Sequence, residues 1–344
     1  MPLLEHVAEP LRVVDGLTRL DRLEALDGWQ RLLLDVVRRL LPDADVLEVT
    51  QAVAHVNDAL TRRLLQLAEQ AYGPPPGAYA WLALGSHGRG EQVLSSDQDS
   101  ALAYADMSGS EAADYFPRLA DAVVNGLARA GLPLCSGGFM ATRWSRPLGE
   151  LRTMFASWVE DPQPEALLRA EVFLDVRPVH GELPVDVLDR TLVVGGSRGP
   201  FRVQMARAAV SFRPPLTVFG RVRATDGCVD VKRGGTAAIV LLARLDALSA
   251  GSSARTTVER LQAGADGGTV SRQGAAELVD AYRFLTGLRL RAQVDQVTRG
   301  EPARNEVRLD ALAAAERSHL HAVLRHVRDV QTATASRYAT HTVT

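Results

Sequence analysis

The chain has 344 residues, a formal net charge of −2, 46% hydrophobic and 23% charged residues. That length exceeds one ordinary core and suits two or three packed units, and the balance excludes a wholly disordered or fibrous protein. Near-neutral charge argues against nucleic acid or an anionic membrane as partner, and two cysteines, Cys135 and Cys228, exclude a disulfide framework and a cysteine-built zinc site.

The first six residues lack the basic and apolar regions of a secretory signal. The longest apolar runs, such as 237–243, fall far short of the roughly 20 residues that span a bilayer, so a cytoplasmic, membrane-free chain is expected. Residues 1–72 predict a helical arm. Leu17, Leu20, Leu23 and Leu26, then Leu33, Val37, Leu40 and Leu41, recur at helical spacing; Val49, Val53, Val56, Leu60 and Leu64 form a second stripe after Pro42-Asp43. Gly73-Pro74-Pro75-Pro76-Gly77 stops the helix and sets a domain boundary.

The next domain, 73–190, mixes strands with helices. Residues 78–84 and 100–104 predict buried strands around a glycine-rich turn at 85–91. Helices are predicted over 110–130 and 148–160, a short strand over 134–140, and a strand over 171–179 that ends near Pro178 and Gly181. After the linker at 195–200, the region 195–344 predicts helices only. Thr256 and Glu259 have capping-box spacing, Ser271 can cap a helix over 272–298, and a last helix covers 317–337. The fold class is α+β: a mixed core between an N-terminal helical arm and a C-terminal helical bundle.

Chemistry concentrates in Gly85-Ser86-His87-Gly88-Arg89-Gly90-Glu91, a short spacer, and Ser96-Asp97-Gln98-Asp99. Gly85 and Ser86 follow a buried strand, where glycine permits a sharp turn and close approach to a phosphate. Arg89 offers a guanidinium for phosphate oxygens. Asp97 and Asp99, at i and i+2 of an extended segment, point to one side, roughly 6–7 Å apart at Cα. Carboxylates that close repel, and a divalent cation such as Mg²⁺ relieves the repulsion. His87, without a carboxylate or thiol at ligand spacing, reads as a loop residue, and Cys135 as a small buried one.

This pattern resembles the polymerase-β-like nucleotidyltransferase superfamily, and within it the nucleotidyltransferase domain of protein-PII uridylyltransferases. It is closer still to nucleotidyltransferases often fused to cyclic-nucleotide-binding and CBS domains, in which the transferase unit precedes a helical substrate-binding domain. The segments 134–142, 173–181 and 231–235 carry the resemblance further. It implies a nucleoside triphosphate donor, UTP or ATP, two Mg²⁺ ions, and transfer of a nucleoside monophosphate to a protein or small-molecule hydroxyl with loss of pyrophosphate. A nucleotide-sensing module without turnover is the alternative.

The superfamily implies a third carboxylate on a later strand. Asp175 fits, mid-strand in 173–179, with a salt bridge to Arg177 as its alternative role. It would complete the second metal site and help deprotonate the acceptor. Asp97, Asp99 and Asp175 are thus the implied catalytic and metal residues. Gly85, Ser86, Arg89 and Ser96 are the implied nucleotide contacts. A triphosphate and three aspartates outnumber the charge of two Mg²⁺ ions, so more cations are needed. Lys232, the one lysine among 39 basic residues, is the best further source, with Gly234 and Gly235 beside it to admit a ligand.

Overall fold

A computed structural model describes Leu26, residues 28–163 and residues 171–340. The expected stripe of Leu17, Leu20 and Leu23 lies outside the described residues. The chain divides into two compact units. One runs to Phe155 and resumes over Glu171–Asp189; the other takes Ala156 onward and then continues from Arg190.

In the first unit, helix α1 (Trp29–Leu40) leads to α2 (Val46–Tyr72), whose start is capped by Asp45 accepting from the Leu47 N–H at 2.8 Å. The apolar stripe read from the sequence is the buried face of α2. It packs on α4 (Glu111–Arg129), and a Cβ added to Gly126 would come within 2.8 Å of the Leu64 side chain. The 73–77 stretch is therefore a turn inside this unit, with helices on one side of it packed on elements from the other.

A four-stranded sheet runs in the order β3-β2-β1-β4. Strand β1 (Tyr79–Ala83) is buried throughout and pairs antiparallel with β2 (Ser100–Tyr104) in the register Trp81↔Leu102 and Ala83↔Ser100. Strand β3 (Ser145–Pro147) lies parallel to β2, and β4 (Arg177–Gly181) antiparallel to β1. Helix α5 (Leu148–Glu160) follows β3 directly. Between β1 and β2 sits α3 (Gly85–Gly88), a single turn.

Two predicted strands differ in the structure. The strand expected over 171–179 begins only at Arg177; residues 171–173 are helical and Asp175 lies in the turn before β4. The apolar run there serves packing: Phe173 meets the rings of Phe139, Trp144 and Phe155 edge-on. Pro178 falls on an edge strand, where its missing N–H costs no ladder bond. In the segment 134–140, only Leu134 bridges to Gln98. Gly138, at φ +74°, then turns the chain and donates its N–H to the Cys135 carbonyl at 3.0 Å.

In the second unit, α6 (Asp186–Gly196) ends and α7 (Gly199–Ser211), α8 (Ala237–Ser249), α9 (Thr257–Asp266), α10 (Arg272–Thr298) and α11 (Ala314–Arg337) follow. The Thr256–Glu259 capping box forms, and the Ser271 side chain accepts from the Gly274 N–H. The expectation of helices only is corrected by an antiparallel ribbon of β5 (Cys228–Asp230) and β6 (Glu306–Arg308), with buried Val229 opposite buried Val307. Three-residue strands are too short to show alternation. Among the described residues no helix is long and apolar enough to cross a membrane.

Candidate active site

Strand β1 delivers the chain into α3 through Leu84, whose N–H donates to the Asp99 carbonyl at 3.0 Å. Gly85 has φ +54°, and a Cβ there would lie 2.6 Å from Asp99 Oδ2. Glycine is thus required twice, by backbone angle and by the carboxylate beside it. A Cβ on Gly88 would overlap the carbonyl oxygen of Asp175. One helical turn is therefore wedged between the Asp99 and Asp175 segments, with Ser86 half-buried on it.

The segment before β2 is extended and held on one flank. Gln98 N–H donates to Pro133 O and Ser100 N–H to Phe139 O, each at 2.9 Å. The Gln98 side chain is buried and donates to Leu132 O at 2.9 Å. Alternation then turns Asp97 and Asp99 to the other side. There they converge with Cys135, the three ligand atoms lying within 4.8 Å of one another. Burial, with Asp99 beside it, pushes the Cys135 thiol up to about 11. Two carboxylates beside a glycine that leaves room for nothing larger fit a hard divalent cation. Ser96 is buried, and its Oγ accepts from the Val93 N–H at 2.9 Å, so it shapes the turn that leads into Asp97.

Asp175 is not in that converging group. Its carboxylate, fully buried, is ion-paired with Arg89, which also donates from Nε to Glu91 Oε2 at 2.7 Å. The motif arginine and glutamate thus bind each other and the later carboxylate. Arg177 does not pair with Asp175. It takes Asp58 of α2 with both terminal nitrogens, at 2.9 and 3.0 Å, and donates to the carbonyls of His87 (3.0 Å) and Gly88 (3.2 Å).

His87 corrects its loop reading. It is buried, and its Nε2 lies 2.7 Å from Asp58 Oδ1. Burial alone would raise the Asp58 carboxyl. The hydrogen bonds and charges of His87 and Arg177 outweigh it and hold Asp58 well below the usual carboxylate range. Sequence reading missed Asp58 and Cys135 as members of this neighbourhood. The available signal was Asp58 itself, a charge on the buried stripe of α2.

The candidate residues of the second unit stand as follows. Lys232 is exposed at the start of a π-helical turn, Lys232–Thr236, where Asp230 Oδ1 accepts from the Lys232 and Arg233 N–H groups. Gly234 and Gly235 are buried. A Cβ on Gly234 would overlap the Arg213 carbonyl, and one on Gly235 would come within 3.0 Å of Leu285. On the side where a Cβ would stand, protein fills the space, so packing by itself requires a glycine at Gly234 and favours one at Gly235. A groove of about 850 Å³ opens between α10 and the ribbon, lined among others by Arg223, Arg291, Arg304, Asp226, Asp295 and Glu306.

The comparisons with known proteins agree with this layout. Residues 31–165 match the family described as "Putative nucleotidyltransferase DUF294", and residues 199–338 match "Putative nucleotidyltransferase substrate binding domain". The chain belongs to this two-domain nucleotidyltransferase family. No curated protein matches it.

Proposed function

We propose that the chain is a cytoplasmic, Mg²⁺-dependent enzyme that moves a nucleoside monophosphate from UTP or ATP to a protein or small-molecule hydroxyl, in the manner of protein-PII uridylyltransferases. The observation that carries this reading is the closeness of Asp99 to Gly85, which supports reading the carboxylate pair and the glycine-rich turn as parts of one site. Gly85 and Ser86 offer the triphosphate a backbone free of side-chain bulk and a hydroxyl. Asp97 and Asp99 would hold the metal. Bound Mg²⁺ supplies neutralisation of the triphosphate and of the leaving pyrophosphate. Asp175, outside the converging group, is proposed as the carboxylate that helps deprotonate the acceptor. Arg89 is proposed as a cation for the phosphates. The second unit, which matches a substrate binding domain, is proposed to bind the acceptor. Positioning and charge compensation carry the rate.

Incubation with each labelled nucleoside triphosphate and Mg²⁺ in host lysate tests the proposal. One triphosphate should label a macromolecule or metabolite, and Asp97→Asn should abolish the label. Mg²⁺-dependent nucleotide binding without labelling would replace the enzyme by a nucleotide-sensing module.

A further inference from the structure

The carboxylate pair has a sulfur neighbour that Mg²⁺ does not need. Cys135 reaches it from a loop 36 to 38 residues further along the chain, and the loop is fixed there from both ends. Leu132 and Pro133 carbonyls accept from Gln98, and beyond the Gly137-Gly138 turn Phe139 O accepts from Ser100 N–H, while Ala141 N–H donates to Ser100 Oγ at 3.2 Å. Side chains of different segments thus present two oxygens and one sulfur within 4.8 Å of one another. In a tetrahedral zinc site, with Zn–S near 2.3 Å and Zn–O of 2.0–2.2 Å, donors lie about 3.5 Å apart, so small side-chain rotations close this group around an ion. Three protein ligands and one open position is the pattern of an accessible zinc centre.

We infer that Cys135 makes the nucleotidyltransferase metal site a mixed oxygen–sulfur site that takes thiophilic divalent ions, Zn²⁺ or Cd²⁺, and that such an ion excludes Mg²⁺ and stops turnover. This inference rests on reading Asp97 and Asp99 as metal ligands. Affinity for soft over hard ions follows the donor: thiolate selects zinc-like ions, whereas Mg²⁺ prefers oxygen and keeps its waters. On binding, the metal–sulfur bond replaces the S–H bond and the proton leaves to solvent. The carboxylates serve both ions; only the sulfur discriminates. Cys135 would then set which metal the enzyme tolerates without taking part in transfer.

The test is a titration of the metal-free full-length protein with Cd²⁺, followed by the ultraviolet sulfur-to-cadmium charge-transfer band. No nucleotide is present, so the result does not depend on enzyme activity. Wild type and Cys228→Ser should both show the band, saturating at one ion per chain, and Cys135→Ser should lose it. Asp97→Asn with Asp99→Asn should weaken the Cd²⁺ affinity at least tenfold. Protection of one thiol from a thiol reagent by Cd²⁺, measured on Cys228→Ser, reads the same contact without altering Cys135. Absence of the band in wild type, its persistence in Cys135→Ser, or unchanged affinity in the double aspartate variant would each overturn the inference. In a separate arm, Mg²⁺-dependent triphosphate binding is measured on wild type: its absence counts against the nucleotidyltransferase reading, while a missing cadmium band with normal triphosphate binding counts against the thiol alone.

Discussion

His87 Nε2 and Asp58 Oδ1 stand 2.7 Å apart, joining a residue of the glycine-rich turn to a helix that precedes the sheet by sequence and packs with it in one unit. Arg177 closes the contact from the other side, holding Asp58 with two nitrogens and the turn through two of its carbonyls. The glycine-rich turn is soft by composition, and this buried ionic cluster makes it rigid. Asp58→Asn should therefore cost about 3–5 kcal/mol, the range for breaking a buried pair. Because folding lowers the Asp58 carboxyl, its contribution is present above the unfolded value near 3.8 and is lost as pH falls below it. Urea unfolding from pH 3 to 7 should show a steeper acid decline in wild type than in Asp58→Asn.

Asp97→Asn and Asp99→Asn should each abolish transfer and leave the fold intact. Each removes a ligand charge and keeps the shape. Relief of carboxylate repulsion should leave the metal-free protein as stable as wild type or slightly more so. Labelled-nucleotide transfer and melting curves without metal check both halves. Transfer within tenfold of wild type in either variant would remove this pair as metal ligands.

Gly85→Ala should be worse than its one methyl suggests. The residue sits at φ +54°, which costs an L-residue about 1–2 kcal/mol, and the new methyl would push on Asp99. Metal-dependent nucleotide binding should fall at least tenfold, read by calorimetry, with a loss of a few degrees in melting temperature.

Much of the fold was legible in the sequence, and the misses share a cause. Strand β2, helix α5 and the caps at Thr256 and Ser271 are set by local pattern, and they form where the pattern puts them. Alternation alone placed Asp97 and Asp99 together. Contacts between distant segments have no local signal. Asp58 meets Arg177 across 119 positions and Arg89 meets Asp175 across 86. Spacing offered Arg177 as an alternative partner for Asp175 because they are two apart, yet Asp175 lies in a turn, where alternation does not apply. Gly234 and Gly235 showed a glycine requirement without its reason, since close packing and ligand approach leave the same residue in the sequence.

Asp175→Asn separates binding from chemistry. Arg89 keeps Glu91 as partner, so the folded state survives with a loss of about 1–3 kcal/mol for the weakened charged hydrogen bond. As Asp175 stands outside the Asp97–Asp99–Cys135 group, Mg²⁺-dependent triphosphate affinity should stay within threefold of wild type while turnover falls by at least a hundredfold. Loss of both together would instead make Asp175 a metal ligand.

The second unit carries a carboxyl with the opposite pH response. Burial pushes Asp246 up to about 7, against the lowering influence of Arg337 and a hydrogen bond from Thr269. It lies where α8 meets α9 closely: a Cβ on Gly264 would come within 2.8 Å of the Asp246 Cβ. In the unfolded chain this carboxyl loses its proton near 3.8; in the folded unit it keeps it to about 7. Between those values folding takes up a proton, so stability falls as pH rises, and above 7 the burial cost is complete. Asp246→Asn keeps the shape without the charge. It should therefore match wild type at pH 4 and exceed it at pH 8 by a few kcal/mol, at about 1.4 kcal/mol per pKa unit. Differential scanning calorimetry of both proteins across that range reads the difference. A wild-type advantage at pH 8 would mean that the attraction of the Arg337 charge outweighs the burial of Asp246.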